Sequence, residues 1–448
     1  MDVTVGTALR VGTADEVTVT RLLGEGAAGR VYAVTTASGE QLALKWFKPT
    51  SAVTEQWHAI EYLLERGAPD DRFLWPIAIV GHLTDGQFGY LMPLRPPGFL
   101  RMSCLAQGRD ENGAMLAVPF VVAIDLCRQL AEAFLRLHAQ GMCYRDISLG
   151  NMFFNPEAGD VLVADVDNVA VDDGTSRVRG TGRFMAPEIV ADRACRTLPS
   201  TWTDRHSLAV LLFVALFLEH PLEGAKSDLG LRDDVHLCTH FGDDPVFCLD
   251  PVDTRNRPIG THVVRYWNDV YPRSLLRLFE QAFTEGLHEP RRRIGESQWV
   301  RALTRAREML GICPTCAGTV FYDPETPARC CWSCAAPLGT PLLLVCGRRR
   351  VVVGPHVVLY ADPSRAAHSV STVNGSQSAV LARATMHPKD RRRIGLHNRS
   401  GFVWTARYPD GEREQIAPGQ ATDLVEGLLV TANGLHLEVM REALSASA

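Results

Sequence analysis

Two short segments near the middle of the chain, YRDISLGN at residues 144–151 and VADVD at residues 163–167, are the most informative part of the sequence. Phosphoryl transfer needs an acceptor for a hydroxyl proton and oxygen ligands for magnesium, both close to the γ-phosphate. Asp146 is predicted to accept the proton, while Asn151 and Asp165 are predicted to hold the metal. Each carboxylate alone is more typical of a solvated loop, but the order and spacing of all of them are very unlikely to arise by chance.

A glycine-rich turn lies upstream of these segments, between two predicted strands. Gly24, Gly26 and Gly29 are spaced so that a backbone hairpin can fold closely over phosphates, with main-chain N–H groups facing the anion. The pattern alone is weak, and an ordinary hairpin is the simpler interpretation. A dinucleotide-binding fold would require a helix directly afterwards, whereas the β-rich run VYAVTT follows at residues 31–36.

Lys45 ends a short apolar strand, a position where a lysine is usually only an edge cation. A helix predicted over residues 54–66 carries Glu61, far enough along the chain to allow an ion pair with Lys45. Such a pair would fix the ammonium group where it can bind nucleotide phosphates. We therefore expect Lys45 and Glu61 to be partners.

Over about residues 15–310, the chain resembles a eukaryotic-type (Hanks-type) protein Ser/Thr kinase. The glycine-rich turn, the strand lysine, the segment 144–151 and Asp165 occur in the family's order, and Met185–Glu188 matches its Ala-Pro-Glu segment. The resemblance implies a bilobal fold with an N-lobe at 1–94 and a C-lobe at 95–310. It also implies the use of ATP and Mg²⁺, protein hydroxyl groups as substrates, and autophosphorylation.

The same resemblance implies roles for individual residues. It places the ATP-binding residues at Gly24, Gly26, Gly29, Val31, Ala43, Lys45, Met92 and Leu94. Met92 would be the gatekeeper residue. Pro93 follows it and lacks a backbone N–H group. This costs no contact with the nucleotide, because the family uses a carbonyl oxygen there to accept a hydrogen bond from the adenine amino group. Asp204 would tether the backbone of the catalytic loop, and Glu188 would pair with Arg293.

Several positions depart from the family's pattern. Tyr144 replaces the usual histidine and should keep the loop packed through its ring. Ser148 stands where the family usually carries a lysine that contacts the γ-phosphate. The absence of that lysine is expected to affect the turnover rate. Val166 and Asp167 replace the last two residues of Asp-Phe-Gly. Because aspartate lacks the backbone freedom of glycine, we expect a segment that flips less readily. The Asp167 side chain is expected in solvent, with an added magnesium ligand as the alternative.

In the family, the arginine before the catalytic aspartate often meets a phosphorylated activation loop. Here that arginine is Arg145, and Thr175 and Ser176 are the candidate phosphate acceptors, with Thr181 assigned to the same regulatory set. A phosphate on Thr175 or Ser176 would form charge-assisted bonds to Arg145. The alternative is that both are simply polar loop residues.

Four of the twelve cysteines form two Cys-x-x-Cys pairs, which are Cys313 with Cys316 and Cys331 with Cys334. Four thiolates at this spacing suit tetrahedral Zn²⁺, and a closed four-cysteine shell leaves no open position for catalysis. A structural zinc ribbon is therefore predicted over 311–339, with Cys330 as the worse ligand. Redox catalysis is the poorer interpretation, because no thioredoxin-like βαβ pattern surrounds either pair.

The tail, residues 340–448, returns to short strands. The run from Ile394 to Ser400, a Pro-Asp-Gly turn and the runs at 416–419 and 428–430 resemble the later strands of a forkhead-associated (FHA) β-sandwich. The family's early Gly-Arg and Ser-x-x-His phosphate-reading motif is not convincingly present, so a plain β-sandwich adaptor is the preferred interpretation and phosphothreonine reading is the alternative. The predicted fold class is thus α+β, with a kinase-like domain followed by a four-cysteine ribbon and a small all-β domain.

This domain order resembles the kinase component of bacterial phosphorylation systems that also contain a von Willebrand factor A protein and a PP2C-type phosphatase. The segment Asp244–Phe247 adds to that narrower resemblance. It implies these two proteins as partners. A pseudokinase adaptor, which binds nucleotide without transferring phosphate, is the main alternative function. Small-molecule phosphotransfer is disfavoured by the Ala-Pro-Glu segment and the full activation loop.

Composition excludes other classes of protein. With 448 residues, 46% of them hydrophobic and 22% charged, the chain is too long for one core and too apolar for wholesale disorder. A net charge of -5 gives no electrostatic reason to expect nucleic acid or a membrane surface as partner. The apolar run at 208–218 is shorter than the ~20 residues that a membrane span needs. Without a secretory signal at the start, the cysteine usage favours the cytoplasm.

Overall fold

The computed structural model describes residues 3–12, 15–82, 87–172, 180–227, 234–326, 330–361, 370–372, 379–432 and 435–442. The chain divides into two compact units. The first comprises Met1–Val118, Leu126–Ile259 and Glu280–Ser297, and the second comprises Pro119–Asp125, Gly260–Phe279 and Gln298–Ala448. Within the described ranges, no helix combines the length and the apolar character that crossing a bilayer requires.

The first unit begins with a closed antiparallel barrel in which the strands follow the order β1-β2-β3-β4-β6-β5. The strands are β1 (Ala8–Val11), β2 (Asp15–Glu25), β3 (Gly29–Thr36), β4 (Gln41–Phe47), β5 (Ala78–His82) and β6 (Gln87–Pro93). Alternate residues such as Val17 and Val19 on β2, or Leu42 and Leu44 on β4, point into one core. Because a slip by one residue would expose this core, it fixes the register of the strands around Lys45.

A set of helices and short strands completes the two units. The helices are α1 (Thr54–Arg66), α2 (Met102–Gln107), α3 (Phe120–Ala139), α4 (Pro187–Ala191), α5 (Thr201–Phe217), α6 (Asp234–Cys238), α7 (Thr261–Arg265), α8 (Arg273–Phe283), α9 (Glu285–His288) and α10 (Glu296–Glu308). Helix α5 is buried on nearly every side after its first turn, and Ser200 and Thr203 form a capping box at its start.

Two small antiparallel sheets fix the segments that carry the sequence motifs. The strands are β7 (Leu100–Arg101), β8 (Met142–Cys143), β9 (Met152–Phe154), β10 (Val161–Val163) and β11 (Ala170–Val171). Strand β9 pairs with β10, and β8 pairs with β11. The loop at 144–151 therefore starts and ends beside the strands that flank residues 164–169, which brings the two motif segments together.

The second unit contains the cysteine pairs and the β-rich tail. Strands β12 (Leu310–Ile312) and β13 (Thr319–Phe321) form a hairpin beside the cysteines. The tail contains β14 (Leu342–Cys346), β15 (Arg349–Val352), β16 (Val358–Ala361), β17 (Val370–Ser371), β18 (Val380–His387), β19 (Asp390–Asn398), β20 (Trp404–Arg407), β21 (Arg413–Ile416), β22 (Ala421–Asp423), β23 (Leu429–Ala432) and β24 (Leu435–Arg441). These strands form two antiparallel sheets, ordered β15-β14-β24-β23-β20-β21 and β17-β16-β18-β19-β22.

One core lies between the two tail sheets. Trp404 and Val430 from one sheet pack in the same cluster as Leu396 and Ala384 from the other. The turn after β19 is closed by Asn398, whose buried amide donates to the carbonyl oxygens of residues 402 and 416 at 2.7 and 3.0 Å. The run from 394 to 400 is thus a strand followed by a buried polar turn, and the tail is a two-layer β-sandwich.

A buried polar cluster in the first unit lies under the motif loop. His138 on α3 contacts Asp204 at 3.2 Å and Glu296 at 2.9 Å, and Arg205 donates to Glu296 at 2.8 Å. Burial lowers the pKa of His138, but its hydrogen bonds with Asp204 and Glu296 outweigh burial and raise the pKa to about 9. His138 is therefore a cation between two carboxylates at neutral pH.

The raised pKa of His138 predicts a pH-dependent contribution to stability. The group stabilises the fold fully below its unfolded value of 6.5, and the contribution disappears as the pH rises through about 9. The shift corresponds to at most about 3 kcal/mol. We expect His138→Gln to lower the free energy of unfolding most near pH 6, with a difference from the unmodified chain that shrinks toward pH ~9.5. Urea titrations across this range measure it.

The matched control is His288→Gln, because His288 is exposed in the same unit. Its effect on the free energy of unfolding should be within about 0.5 kcal/mol at every pH. A His138→Gln penalty that grows with rising pH would contradict the assigned charge of His138.

Candidate active site

Lys45 lies on β4 with its side chain only 6% exposed, and its ammonium nitrogen contacts two carboxylates. The distance is 2.7 Å to Asp165 Oδ1 and 2.7 Å to Asp167 Oδ1. Burial alone would lower the pKa of Lys45, but the charges of Asp167 and Asp165 and their hydrogen bonds outweigh burial and raise the pKa. Lys45 is therefore held as a cation against the segment that follows β10.

Asp146 is oriented by two neutral side chains. The Asn151 amide donates to Asp146 Oδ2 at 3.0 Å and to the Asp146 carbonyl oxygen at 2.9 Å, and the Thr181 hydroxyl donates to Asp146 Oδ1 at 2.7 Å. Burial raises the pKa of Asp146 above its usual value, although the bonds from Thr181 and Asn151 oppose this shift. A carboxylate with a raised pKa and a fixed orientation is suited to accepting a proton.

The backbone at the site is held in conformations that non-glycine residues rarely adopt. Arg145 has φ of 75° and Asp165 has φ of 52°, both in the left-handed region. Asp204 stabilises the first of these by accepting from the backbone N–H groups of Tyr144 at 2.5 Å and Arg145 at 2.8 Å. The Tyr144 hydroxyl donates to the carbonyl oxygen of Ala164, which ties the two motif segments directly together.

The residues predicted to bind the nucleotide share one face of the barrel. In the strand register Val31 lies opposite Lys45, and Ala43 lies opposite Met92. Residues directly opposite in an antiparallel pair point to the same face, as do residues two apart on a strand. Leu94 follows the end of β6 and is half-buried. This face therefore places apolar side chains next to the lysine.

The three glycines of the turn are not equivalent. A Cβ on Gly29 would lie 2.4 Å from the Trp46 carbonyl oxygen, so Gly29 is required for β3 to approach β4. A Cβ on Gly24 would meet no atom within 4 Å, and one on Gly26 would meet only the Gly29 carbonyl oxygen at 3.9 Å. Gly24 and Gly26 thus border open space, as a loop that approaches a phosphate must.

Glu188 and Arg293 form a bidentate ion pair. The two guanidinium nitrogens lie 2.8 and 2.6 Å from the two carboxylate oxygens. Arg293 also donates to the carbonyl oxygens of Gly286 and Trp202, both at 3.0 Å. Because its guanidinium is buried and makes four hydrogen bonds within the fold, this contact fixes the start of α4 rather than taking part in chemistry.

The expected ion pair between Lys45 and Glu61 is not formed, and this prediction is wrong. Helix α1 buries Ile60 and Leu63, while Glu61 is exposed. The side chain of α1 that reaches the site is Gln56, whose amide donates to the Asp167 carbonyl oxygen at 3.2 Å. Successive residues are 100° apart on a helix, so Ile60 and not Glu61 follows Gln56 on that face.

The sequence predicted that the Asp167 side chain would lie in solvent, and this prediction is wrong. Its side chain is 4% exposed, and besides Lys45 it accepts from the Tyr90 hydroxyl at 3.4 Å. The residue lies in a 3₁₀ turn at Val166–Asn168 that turns its carboxylate toward β4. An acidic residue at a position where the family has glycine was the one signal that could have revealed this contact.

The regulatory residues are only partly placed by the structure. Thr175 and Ser176 lie outside the described residues. The Arg145 guanidinium donates to Cys143 Sγ and to the Val171 carbonyl oxygen, both at 3.4 Å. Thr181, assigned to the regulatory set from the sequence, contacts Asp146 directly.

The oxygen atoms at the site suit a magnesium ion. Asn151 uses its amide nitrogen to bond Asp146, which leaves its side-chain oxygen as an acceptor. Asp165 is 43% exposed and uses Oδ1 for Lys45, so Oδ2 remains for a metal. Carboxylate and amide oxygens are the ligands that Mg²⁺ takes in sites shared with phosphates, so the residues fit this ion.

The four predicted cysteines form one cluster in the second unit. Their sulfur atoms all lie within 4.8 Å of one another, and Cys313–Cys334 and Cys316–Cys331 are 3.7 and 3.8 Å apart. Bond lengths of ~2.3 Å in a tetrahedral ZnS₄ site give sulfur–sulfur distances of about 3.8 Å. The distances are too long for disulfides, no disulfide joins any of the twelve cysteines, all of which the structure describes, and the donor set fits zinc.

Comparison with known protein families agrees with this geometry. Residues 114–244 match the protein kinase domain family. This part of the chain is similar to protein kinase domains. The matched range includes Asp146, Asn151, Asp165 and Asp204, and the predicted kinase-like fold is confirmed.

Curated relatives match parts of the kinase domain. Protein kinase C-like 1 of Saccharomyces cerevisiae is 33% identical over 105 residues, which is 22% of this chain and 9% of that protein. The serine/threonine-protein kinase chk-2 of Caenorhabditis elegans is 29% identical over 110 residues, which is 24% of this chain and 23% of that protein. The alignments thus span less than a quarter of the length of these relatives.

A solved structure also resembles the chain. It is the kinase domain of PknI from Mycobacterium tuberculosis, crystallised as a double mutant. The TM-score is 0.45 at 18% sequence identity, with 68% of this chain and all of that chain covered.

Proposed function

We propose that this chain is an ATP- and Mg²⁺-dependent Ser/Thr protein kinase that transfers the γ-phosphoryl group to protein hydroxyls, including its own, in bacterial signalling. The observation that carries this proposal is the convergence of Lys45, Asp146, Asn151 and Asp165. Lys45 bonds Asp165, Asn151 bonds Asp146, and the Ala164 N–H donates to the Asn151 carbonyl oxygen at 2.9 Å. These contacts join β4 and both motif segments in one site.

The chain's own residues have distinct roles in the proposed reaction. Bound Mg–ATP would supply the transferable phosphoryl group. Asp146 orients the attacking hydroxyl and accepts its proton, and Thr181 and Asn151 hold the carboxylate in place. Lys45 binds phosphate oxygens, and Asn151 and Asp165 hold the metal. Ser148 offers no cation to the γ-phosphate, so charge stabilisation there depends on Lys45 and the metal.

A cavity beside the proposed proton acceptor supports a protein substrate. It has a volume of about 860 Å³, and its lining includes Leu149, Thr181, Phe184, His220 and Leu237. Thr181 connects this cavity to Asp146 through its hydroxyl. A largely apolar groove of this size can hold several residues of an extended peptide next to the acceptor.

We predict that phosphate transfer from labelled ATP depends on Asp146 and Lys45. In purified full-length protein, Asp146→Asn and Lys45→Met should each lower autophosphorylation and transfer to a generic protein substrate by about 100-fold or more. Asp146→Asn removes the proton acceptor without changing shape, and Lys45→Met removes the phosphate-binding cation. Incorporated label per chain is the measurement.

Asp160→Asn is the matched control, because Asp160 is exposed near the same loop. It should retain full transfer. Equal labelling of all variants would show that the activity does not come from this site. Nucleotide binding without any transfer by the unmodified chain would contradict the proposal in favour of a pseudokinase adaptor.

We also propose that the four-cysteine cluster binds one structural zinc ion. The cluster consists of Cys313, Cys316, Cys331 and Cys334. Backbone N–H groups of residues 315, 318 and 333 each point at a cysteine sulfur at 3.4 Å, which stabilises thiolates. A ribbon this small has a minor core of its own, so metal binding would supply most of its folding free energy.

Protein purified without chelators should contain about one zinc per chain by elemental analysis. Cys331→Ser should abolish zinc binding and unfold the ribbon, while Mg-nucleotide binding at Lys45 is largely kept. Cys330→Ser is the matched control, since Cys330 is exposed and outside the cluster. Loss of zinc from Cys330→Ser, or no zinc in the unmodified protein, would contradict this assignment.

For the tail we propose an FHA-like sandwich that serves as an adaptor, supported by its two-sheet order and by the buried Asn398 turn. Titration with phosphothreonine peptides tests whether it binds phosphate. Equal binding of phosphorylated and dephosphorylated peptides is the result expected of a plain β-sandwich adaptor, and saturable binding that the dephosphorylated peptides lack would assign phosphothreonine reading to the tail.

We further propose a cytoplasmic setting with a von Willebrand factor A protein and a PP2C-type phosphatase as partners. None of the twelve cysteines, which all lie within the described residues, forms a disulfide, and this supports a reducing compartment. The partner assignment rests on domain order alone. In the segment Asp244–Phe247, Phe247 is fully buried and Asp244 bonds Lys226 and Arg255, so its contacts are internal. Co-elution of purified candidates with the full chain tests it.

A further inference from the structure

We propose that Asp167 is the positioning residue for Lys45 and takes the place of an acidic residue on helix α1. This inference rests on the proposed phosphotransferase function. The lysine is then placed by the segment that follows β10 and does not depend on α1 for its counter-ion.

The two carboxylates that contact Lys45 differ in exposure. Asp165 is 43% exposed, whereas Asp167 is 4% exposed and lies at the same distance of 2.7 Å from the ammonium nitrogen. A buried cation needs a permanent counter-ion. Asp165 uses one carboxylate oxygen for Lys45 and has the other available for a metal, whereas Asp167 is enclosed with its carboxylate against Lys45.

The orientation of Asp167 is fixed from several directions. The Tyr90 hydroxyl, on β6 next to Lys45, donates to Asp167 Oδ1 at 3.4 Å. The Gln56 amide on α1 donates to the Asp167 carbonyl oxygen at 3.2 Å. The 3₁₀ turn at Val166–Asn168 sets the backbone direction. Such support from neighbouring elements is what a positioning side chain requires.

Helix α1 presents no carboxylate to this site. Gln56 faces it, and Ile60 and Leu63 continue the same face as buried apolar residues. Glu61 is turned about 140° away from Gln56 on the helix. Gln56 is the α1 side chain that bonds the Asp167 segment and it is a neutral amide, so 56 is the position at which a carboxylate from α1 is tested. The charge that α1 lacks is supplied by Asp167.

The experiment removes this charge and then restores it from α1. Full-length protein is compared as Asp167→Asn, as the double variant Gln56→Glu with Asp167→Asn, and as Glu61→Gln, with Glu65→Gln as an exposed control on the same helix. Binding of Mg–AMP-PNP is measured by calorimetry. Acetylation of Lys45 by acetic anhydride at fixed pH is measured by mass spectrometry, with the exposed Lys389 as internal reference.

Asp167→Asn should weaken Mg–AMP-PNP binding and speed Lys45 acetylation by about tenfold each, because the ammonium loses a charge-assisted contact that holds it in place. The double variant should recover at least half of each change, a rescue that a purely structural role would not give. Glu61→Gln and Glu65→Gln should leave the affinity for Mg–AMP-PNP and the rate of Lys45 acetylation within about twofold of the unmodified chain.

Unchanged Lys45 acetylation in Asp167→Asn, or an equal effect of Glu61→Gln, would overturn the assignment of Asp167. Should Asp167→Asn fail to fold, the double variant decides, since it must fold and protect Lys45 if the charge can come from α1. Failure of the proposed function has a different signature: no nucleotide binding by the unmodified chain, while Lys45 acetylation still responds to Asp167→Asn and supports the ion pair.

Discussion

The burial of one ammonium group, that of Lys45, is the interaction on which the site depends. A cation that is only 6% exposed is tolerable only when carboxylates meet it, and here they come from a segment 120 residues away in the chain. The contact joins the barrel to the segment after β10. Because that segment also carries the proposed metal ligand Asp165, the same ion pair that stabilises the fold also sets the distance between lysine and metal site.

A second set of interactions stabilises the unusual backbone of the motif loop. Left-handed conformations at Arg145 and Asp165 cost about 1–3 kcal/mol each and persist only where the surroundings determine them. Asp204 stabilises the backbone at Arg145 by accepting hydrogen bonds from two consecutive backbone N–H groups, and His138 in turn contacts Asp204. Strain at Arg145, beside the proposed proton acceptor Asp146, is thus balanced by a buried charged cluster.

Much of this was predictable from local pattern. Helix α3 begins at Phe120 and ends at Ala139 as its amphipathic spacing predicts, because its residues bury one face and Gly141 follows its end. The two cysteines of each Cys-x-x-Cys pair lie close together because each pair forms its own tight turn. The partner of Lys45 was not predictable in this way. Helical spacing alone does not say which face of α1 turns inward. Glu61 was therefore predicted as the partner of Lys45, a position that Asp167 occupies.

The sequence alone determined the order of the motifs, the identity of the acid, amide and thiolate groups, and the alternation from strands to helices to strands, since these depend on residue type and short-range periodicity. Only the tertiary structure decided which charges meet. It buried Asp167 beside Lys45, left Glu61 in solvent and placed Thr181 on Asp146. The physical reason is that ion pairs and buried hydrogen bonds depend on distances between segments far apart in the chain, and these distances are set by packing.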